Sequence, residues 1–164
     1  MTQIQLIQQE LENEALTTRK MLSIVPDDKY DWKPHPKSMT VRNLATHIAE
    51  LPTWIPMILH TTELDFAANP YEQVILHNTR SLLEYFEKNL QEARNILVDA
   101  KDADLEERWV LRNGDQIYSD DPKSAMIRIS LSQIIHHRAQ LGVYLRLLDI
   151  PIPGSYGPSA DEGF

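Results

Sequence analysis

The feature that most constrains the fold is a long apolar segment near the C-terminus, which predicts a helix from Pro122 to about Asp149. Proline is favoured at the first position of a helix, because its missing N–H would have no partner there. The apolar side chains of this segment lie nearly all round the helix rather than along one stripe. Such a pattern is typical of a helix at the buried centre of a bundle, so other helices are expected to pack around it.

Two other long segments have the apolar spacing of helices. The first predicts a helix from about Thr2 to Val25, with a stripe of apolar side chains that can face a core. After a linker at Ala67–Pro70, a second such segment predicts a helix from about Gln73 to Lys101, with Ile75 among the inward residues. Both are long enough to cover one side of the apolar C-terminal helix.

A further helix lies between these two and contains prolines. It is predicted to begin near Ser38 or Thr40, either of which can act as the N-cap. Pro52 and Pro56 fall within a stretch that otherwise has a helical pattern, and a proline inside a helix removes a backbone hydrogen bond. A kink or a break is therefore expected at these positions.

The segment from Asp102 to Pro122 has no clear helical period. Within it, Trp109–Asp115 indicates two short extended pieces around an Asn–Gly turn, a dipeptide that favours tight hairpin turns. We interpret this segment as a long irregular connection before the last helix. The predicted fold class is therefore all-α, an antiparallel four-helix bundle formed by residues 1–164 as a single domain.

Composition and charge exclude several classes of function. The chain has no cysteine, which excludes disulfides, thiolate metal sites and a cysteine nucleophile, so any metal must be held by imidazole, carboxylate or amide groups. A net charge of −8 disfavours nucleic acid as a partner, because its phosphates require a basic surface. We find no signal peptide and no apolar stretch of the ~20 residues that a membrane span requires, so we expect a cytoplasmic protein without membrane contact.

The candidate functional residues are polar side chains within apolar helical segments. Gln133 and His137 are four residues apart, which places them about 40° apart on one face of the last helix. His136 and His137 are about 100° apart, so these two are not expected to serve one site. His47, in the second helix, can supply an imidazole from a facing helix. Spacing alone does not decide whether Gln133 acts with His136 or with His137.

These residues also have interpretations that involve no ligand. A core-facing histidine is often simply paired by hydrogen bonds, and the run His136–Arg138 can form a cationic strip that faces solvent. Glu50 lies one turn after His47 on the same face, where it can act as a general base or support that imidazole. The alternative is a solvated or ion-paired glutamate.

Three stretches of the sequence resemble a known family. They are Trp32–Val41 leading into Leu44–Glu50, the run His136–Leu141, and Val143–Leu148 directly after it. In order and spacing they are similar to the DinB-like (YfiT-like) superfamily of metal-binding four-helix bundles. The similarity extends over most of the chain and implies the same bundle fold.

The resemblance also implies a metal site. The usual ligands of this family are three histidines, one on the second helix and two on the fourth in an H-x-x-x-H arrangement, with open coordination positions. By position they correspond to His47, Gln133 and His137, so Gln133 stands where the family has histidine. An amide oxygen is a neutral and usually weaker ligand than imidazole. The expected cofactor is a divalent metal, zinc or nickel, bound weakly or lost, with His136 packed against the site.

Similar proteins include thiol-dependent S-transferases and isomerases, and many are described as metal-dependent hydrolases. The resemblance therefore implies a homodimeric enzyme that acts on a small molecule, a thiol among the candidates, with Glu50 as the candidate catalytic residue. Hydrolysis and thiol transfer both stay open. The alternative is a non-catalytic dimeric bundle, a stress or small-ligand-binding protein, in which the three site residues form a hydrogen-bond network without metal.

Overall fold

The computed structural model describes residues 1–162, and most of them are helical. This part of the chain contains five α-helices: α1 (Gln3–Ser23), α2 (Val41–Glu50), α3 (Trp54–His60), α4 (Thr79–Asp99) and α5 (Lys123–Leu147). Three short strands lie in the connections: β1 (Glu63–Asp65), β2 (Arg108–Asn113) and β3 (Gln116–Pro122). Because α2 and α3 form the two halves of one broken helix, the molecule is a four-helix bundle with a small sheet.

Side-chain caps set where the helices begin. Thr2 forms a capping box with Gln5 at the start of α1, Thr40 caps α2, and Asn78 caps α4. Each of these side chains accepts a hydrogen bond from a backbone N–H that has no partner within its helix. The first helix therefore begins where the sequence predicts, and Thr40 is the cap that the second helix uses.

The prediction that the third long helix begins near Gln73 is wrong. The helix α4 begins at Thr79, and Ile75, which was expected to face the core, is 69% exposed. The residues before α4 form an extended connection that is tied to α2, where the Gln73 amide donates a 2.9 Å hydrogen bond to the Asn43 carbonyl. Tertiary hydrogen bonds of this kind outweigh a weak helical pattern in the sequence.

The break predicted at Pro52 is confirmed, whereas Pro56 lies within the first turn of α3, where a missing N–H costs no helical hydrogen bond. The helix α2 ends at Glu50, and one turn of 3-10 helix follows before α3 begins. Because proline has no N–H to donate, the carbonyl groups near such a break need other donors. One of them is supplied by α4, where the buried Asn89 amide donates to the Ala49 carbonyl, three residues before Pro52, at 3.0 Å.

Side-chain pairs show the directions in which neighbouring helices run. Gln8, near the start of α1, donates to the Leu97 carbonyl near the end of α4. Arg19, near the end of α1, pairs with Glu87 in the first half of α4. The helices α1 and α4 are therefore antiparallel, as expected.

The directions of α1 and α5 differ from the expected antiparallel arrangement. Arg128 of α5 pairs with Glu10 of α1, and the later residue Arg138 pairs with the later residue Glu14. The two helices therefore run parallel. Parallel neighbours are possible in a four-helix bundle when long connections cross from one end to the other.

The helix α5 is antiparallel to the broken helix α2–α3. Ser130 contacts Leu51, and the earlier residue Lys123 donates to the later Leu59 carbonyl at 3.1 Å. With the two preceding relations, this means that α2–α3 and α4 run in the same direction. The connection between them, residues 61–78, must therefore return along the bundle, and the site described below lies under it.

The core is continuous, and α1 to α5 together with Trp109 of β2 contribute to it. The prediction that the last helix is buried on all sides is wrong for one face, since Ile129, Val143 and Leu147 of α5 are 46%, 59% and 59% exposed. A member of a four-helix bundle keeps one side without a neighbouring helix, and these residues lie there. No helix of residues 1–162 is both long enough and apolar enough to cross a membrane.

A three-stranded sheet occupies the connections, so the all-α expectation is correct for the bundle and wrong for these residues. The strands β2 and β3 form an antiparallel hairpin whose turn consists of Gly114, at φ 58°, and Asp115. The predicted hairpin is confirmed, but its turn lies one residue later than Asn113–Gly114, because Asn113 still belongs to β2 and pairs with Gln116. The strand β1 pairs in parallel with β2, and its Asp65 carboxylate accepts a 2.9 Å hydrogen bond from the Gly114 N–H. With three residues, β1 is too short to show a strand pattern in the sequence.

A buried ion pair joins α1 to α5. Arg138 and Glu14 are 2% and 6% exposed, and the guanidinium nitrogen lies 2.6 Å from the carboxylate oxygen. Arg138 also donates to the hydroxyls of Thr18, Ser155 and Tyr156, so the C-terminal segment is attached to the same group. A buried charge is tolerated when it is paired and its hydrogen bonds are satisfied. Arg138 is therefore a structural residue and not part of a solvent-facing strip.

We predict that Gly114→Ala lowers the free energy of unfolding by about 1 kcal/mol, because side chains other than glycine are disfavoured in the left-handed region. Space is not the obstacle, since the nearest atom to an added methyl group is Ala67 Cβ at 3.9 Å. Urea unfolding measures the change. Gly157→Ala is the control, because an added methyl group there meets nothing within 4 Å. Equal losses in both variants would contradict the prediction.

We predict that Glu14→Gln lowers the free energy of unfolding by about 3 kcal/mol, because it leaves the Arg138 charge buried without a counter-charge. The matched control is Glu10→Gln, which removes a carboxylate that pairs α1 with α5 at a more exposed position. An exposed pair of this kind contributes about 1 kcal/mol or less. Unfolding in guanidinium chloride measures both variants. An equal loss of unfolding free energy in the two would contradict the prediction.

Candidate functional site

His47 and Glu50 lie together on one face of α2. The His47 ring is half-buried, Glu50 is 8% exposed, and Nδ1 of His47 lies 2.7 Å from Oε1 of Glu50. This contact agrees with the expected i, i+3 arrangement on one face. Because a carboxylate accepts hydrogen bonds, Nδ1 carries a proton and donates it, so Nε2 is the ring nitrogen that is left for another partner.

His137 of α5 is held in the same way. Its Nδ1 lies 2.8 Å from Oε1 of the Gln140 amide, so its Nε2 is also left for another partner. Burial lowers the pKa of His137 below its ordinary value, although the hydrogen bond to Gln140 opposes this shift. The ring is therefore neutral at pH 7, which is the form in which histidine binds metals.

The structure brings these two histidines together across the bundle. The ring centroids of His47 and His137 are 4.7 Å apart and their planes are inclined at 73°. Among residues 1–162, neither Nε2 atom has a hydrogen-bond partner. Metal-binding histidines characteristically have one ring nitrogen hydrogen-bonded to an oxygen and the other directed at the ion. Two such rings on facing helices therefore have the donor chemistry of a metal site.

The other two candidates on α5, Gln133 and His136, are exposed to solvent. Together with Ile129 and Ser132 they line a shallow groove that faces solvent. The ring of His136 lies 4.9 Å from that of His137 between centroids, so it packs against the site without a hydrogen bond to it. Within the described residues, no three or more histidine or carboxylate side chains are grouped so that they could hold a metal ion.

A cavity of about 520 Å³ opens beside His47 and Glu50. It is bounded by α2, α3, α4 and the first part of the connection between α3 and α4, and it is lined by Thr53, Trp54, Met57, Leu64, Phe66, Asn69, Pro70, Tyr71, Glu72 and Tyr85. The connection crosses the bundle at this point and forms the outer wall of the cavity.

Tyr71 is a site residue that sequence reasoning missed. It belongs to the connection between α3 and α4, and its hydroxyl donates a 2.5 Å hydrogen bond to Oε1 of Glu50. Burial of the hydroxyl and the Glu50 charge raise the pKa of Tyr71 well above its ordinary range, so the hydroxyl keeps its proton and remains a donor. A tyrosine next to Pro70 in a linker carries no sequence signal that relates it to α2.

A second cavity, of about 610 Å³, lies between α5 and the C-terminal segment at residues 152–159. It is larger than the cavity beside His47, but its walls are mainly apolar and its buried charge, Arg138, is already paired with Glu14. His47 lines the smaller cavity and not this one, and His137 lines neither of the two. The chemistry therefore points to the smaller cavity as the candidate active site.

Known proteins share this sequence pattern and this fold. The DinB family model matches residues 1–163. The Bacillus subtilis protein YrdA is 24% identical over 151 residues, which make up 92% of this chain and 86% of YrdA. A DinB-like protein from Bacillus cereus has a TM-score of 0.70 at 23% identity, over 95% of this chain and 100% of the other.

A third similar protein shows a related arrangement of helices. Bacillus subtilis YfiT, which is described as a probable metal-dependent hydrolase with an unusual four-helix bundle topology, has a TM-score of 0.64 at 14% identity. The similarity covers 90% of this chain and 89% of YfiT. Identities at this level establish the fold, and the family match over nearly the whole length establishes the relationship. The chain belongs to the DinB family.

Proposed function

We propose that this protein is a divalent-metal-dependent enzyme whose ion is held by Nε2 of His47 and Nε2 of His137. The observation that supports it best is the paired geometry of these rings, each fixed through Nδ1 and 4.7 Å apart between centroids. A bundle interior is a common place to assemble ligands from facing helices. The family relationship and the description of YfiT as a probable metal-dependent hydrolase support the same proposal.

The donor set fits a weakly held ion better than a tight one. Catalytic zinc sites usually have three protein ligands, and His47 and His137 supply two imidazoles. Gln133, one turn before His137, offers a neutral amide oxygen in place of a third imidazole, and its side chain is exposed. Zinc and nickel are the ions that imidazole suits, with water in the remaining positions.

When bound, the ion supplies Lewis acidity, which lowers the pKa of a coordinated water or thiol. The residues of the chain itself hold and move protons around that group. Glu50 fixes the His47 ring through Oε1 and keeps Oε2 without a hydrogen-bond partner among residues 1–162. We assign Glu50 as the proton acceptor on the cavity side, with Tyr71 positioning its carboxylate.

A second candidate function is a non-catalytic bundle with a metal-free site. The exposed position of Gln133 and the lack of a three-donor group within the described residues favour it. In that case His47 and His137 only complete a hydrogen-bond network with Glu50 and Gln140. Metal affinity and metal-dependent activity separate the two candidates.

We predict that the protein, prepared without a histidine tag, binds one zinc or nickel ion per chain. His47→Ala and His137→Ala should each weaken binding by about tenfold or more, because each removes one of two imidazole donors. Gln133→His should strengthen it by about tenfold, because it completes a three-histidine set. Isothermal titration calorimetry measures all three.

His136→Ala is the matched control, since it removes a neighbouring imidazole that faces solvent. Zinc affinity unchanged in His47→Ala and His137→Ala would overturn the assignment of the ligands. Assays with activated esters, and with thiols and electrophilic acceptors, then test catalysis. Turnover that depends on added zinc and is lost in His137→Ala supports the enzyme. Zinc binding without turnover of either substrate class would contradict the enzyme, whereas absence of both zinc binding and turnover supports the second candidate.

A further inference from the structure

The cavity beside Glu50 is lined by acidic side chains and by no basic lysine or arginine side chain. The two carboxylates are those of Glu50 and Glu72. Glu72 is exposed and has no ion pair with another described residue. The lining therefore gives the cavity a negative potential, and it offers no counter-charge to an anionic ligand.

Glu50 is the more buried of the two carboxylates that line the cavity. Its side chain is 10% exposed, and its Oε1 accepts hydrogen bonds from the His47 ring and the Tyr71 hydroxyl. Neither donor carries a full charge when the imidazole is neutral, and Oε2 has no partner among residues 1–162. A carboxylate that is nine-tenths buried is costly unless a cation or further donors satisfy it. The proposed metal ion would bind the opposite nitrogen of the His47 ring, so Oε2 stays available.

The remaining walls suit an apolar body with a positive charge. Trp54, Phe66 and Tyr85 contribute aromatic rings, and Met57 and Leu64 add aliphatic surface. Aromatic rings attract ammonium groups through their negative faces, and they also bury apolar ligand atoms. A volume of about 520 Å³ lies within the range of cavities that enclose a small organic molecule.

We propose that this cavity binds a protonated organic amine, with its ammonium group on Oε2 of Glu50 and its apolar body between the aromatic side chains. The substrate class of the enzyme is then a small apolar amine rather than an anionic thiol or a carboxylic acid. The assignment as a substrate rests on the proposed function, whereas the binding itself does not. The cavity therefore selects its ligand by charge as well as by shape.

The test compares three probes of one shape and different charge: 2-phenylethylamine, 2-phenylethanol and phenylacetate. Quenching of tryptophan fluorescence or calorimetry measures their affinities at pH 7, once with chelator and once with zinc. We expect the amine to bind at least about tenfold more tightly than the alcohol, since a buried charge pair and a cation–π contact both favour it. Phenylacetate should bind most weakly. Phenylacetate or alcohol binding as tight as that of the amine, or no binding of the amine at millimolar concentration, would overturn the proposal.

Single substitutions test which carboxylates produce the preference for the amine over the alcohol. Glu50→Gln should remove the preference for the amine over the alcohol, and Glu72→Gln, at an exposed position that does not threaten folding, should reduce it about threefold. Glu106→Gln removes the same charge outside the cavity lining and should leave the preference unchanged. An unchanged preference in both Glu50→Gln and Glu72→Gln, or an equal loss in Glu106→Gln, contradicts the proposal.

The two proposals fail in different experiments. If zinc binds through His47 and His137 but the amine preference is absent, the substrate class is wrong and the metal site stands. If the amine preference is present in chelator but zinc does not bind, the cavity assignment stands as a ligand site of a non-catalytic bundle. The readouts are independent because the amine assay in chelator involves no metal.

Discussion

The broken helix α2–α3 and the helix α4 run in the same direction, and the site depends on this constraint. Two helices that follow each other and point the same way need a connection as long as the bundle, and residues 61–78 supply it. This connection places Tyr71 over Glu50 and closes the outer wall of the cavity. A hairpin-like connection between antiparallel helices would leave the same face of α2 open to solvent. The topology therefore makes a cavity from residues that are far apart in the chain.

The site also requires that its two imidazole rings have fixed orientations, and hydrogen bonds within each helix provide them. His47 is fixed by Glu50 and His137 by Gln140, each partner being three residues further along the same helix. Because these contacts are local, the ring orientations do not depend on the C-terminal segment, and the connection acts on His47 only through the hydrogen bond of Tyr71 to Glu50. The helices α2 and α5 need only keep their separation, and the core between them does so. The ion pair of Arg138 and Glu14 then holds α5 against α1 one residue beyond His137.

Because position 133 is a glutamine, membership of the DinB family does not by itself establish a metal site in this chain. The resemblance of the sequence implies three imidazole ligands, and this chain has His47 and His137 with an exposed amide at position 133. Loss of one imidazole weakens a metal site without altering the bundle, because the side chain contributes nothing to the core. The cavity, its carboxylates and its aromatic walls are independent of this change. A ligand-binding role is therefore compatible with either outcome of a metal titration.

The sequence by itself determined the presence of the helices, the break at Pro52, the hairpin around Gly114 and the local pair His47 and Glu50. All of these depend on contacts within a few residues, which periodicity, caps and turn propensities describe. Tertiary structure decided what periodicity does not encode: the parallel run of α1 and α5, the late start of α4, the strand β1 and the exposed face of α5. It also decided the contact of Tyr71 with Glu50, because that hydrogen bond exists only when a connection crosses the bundle.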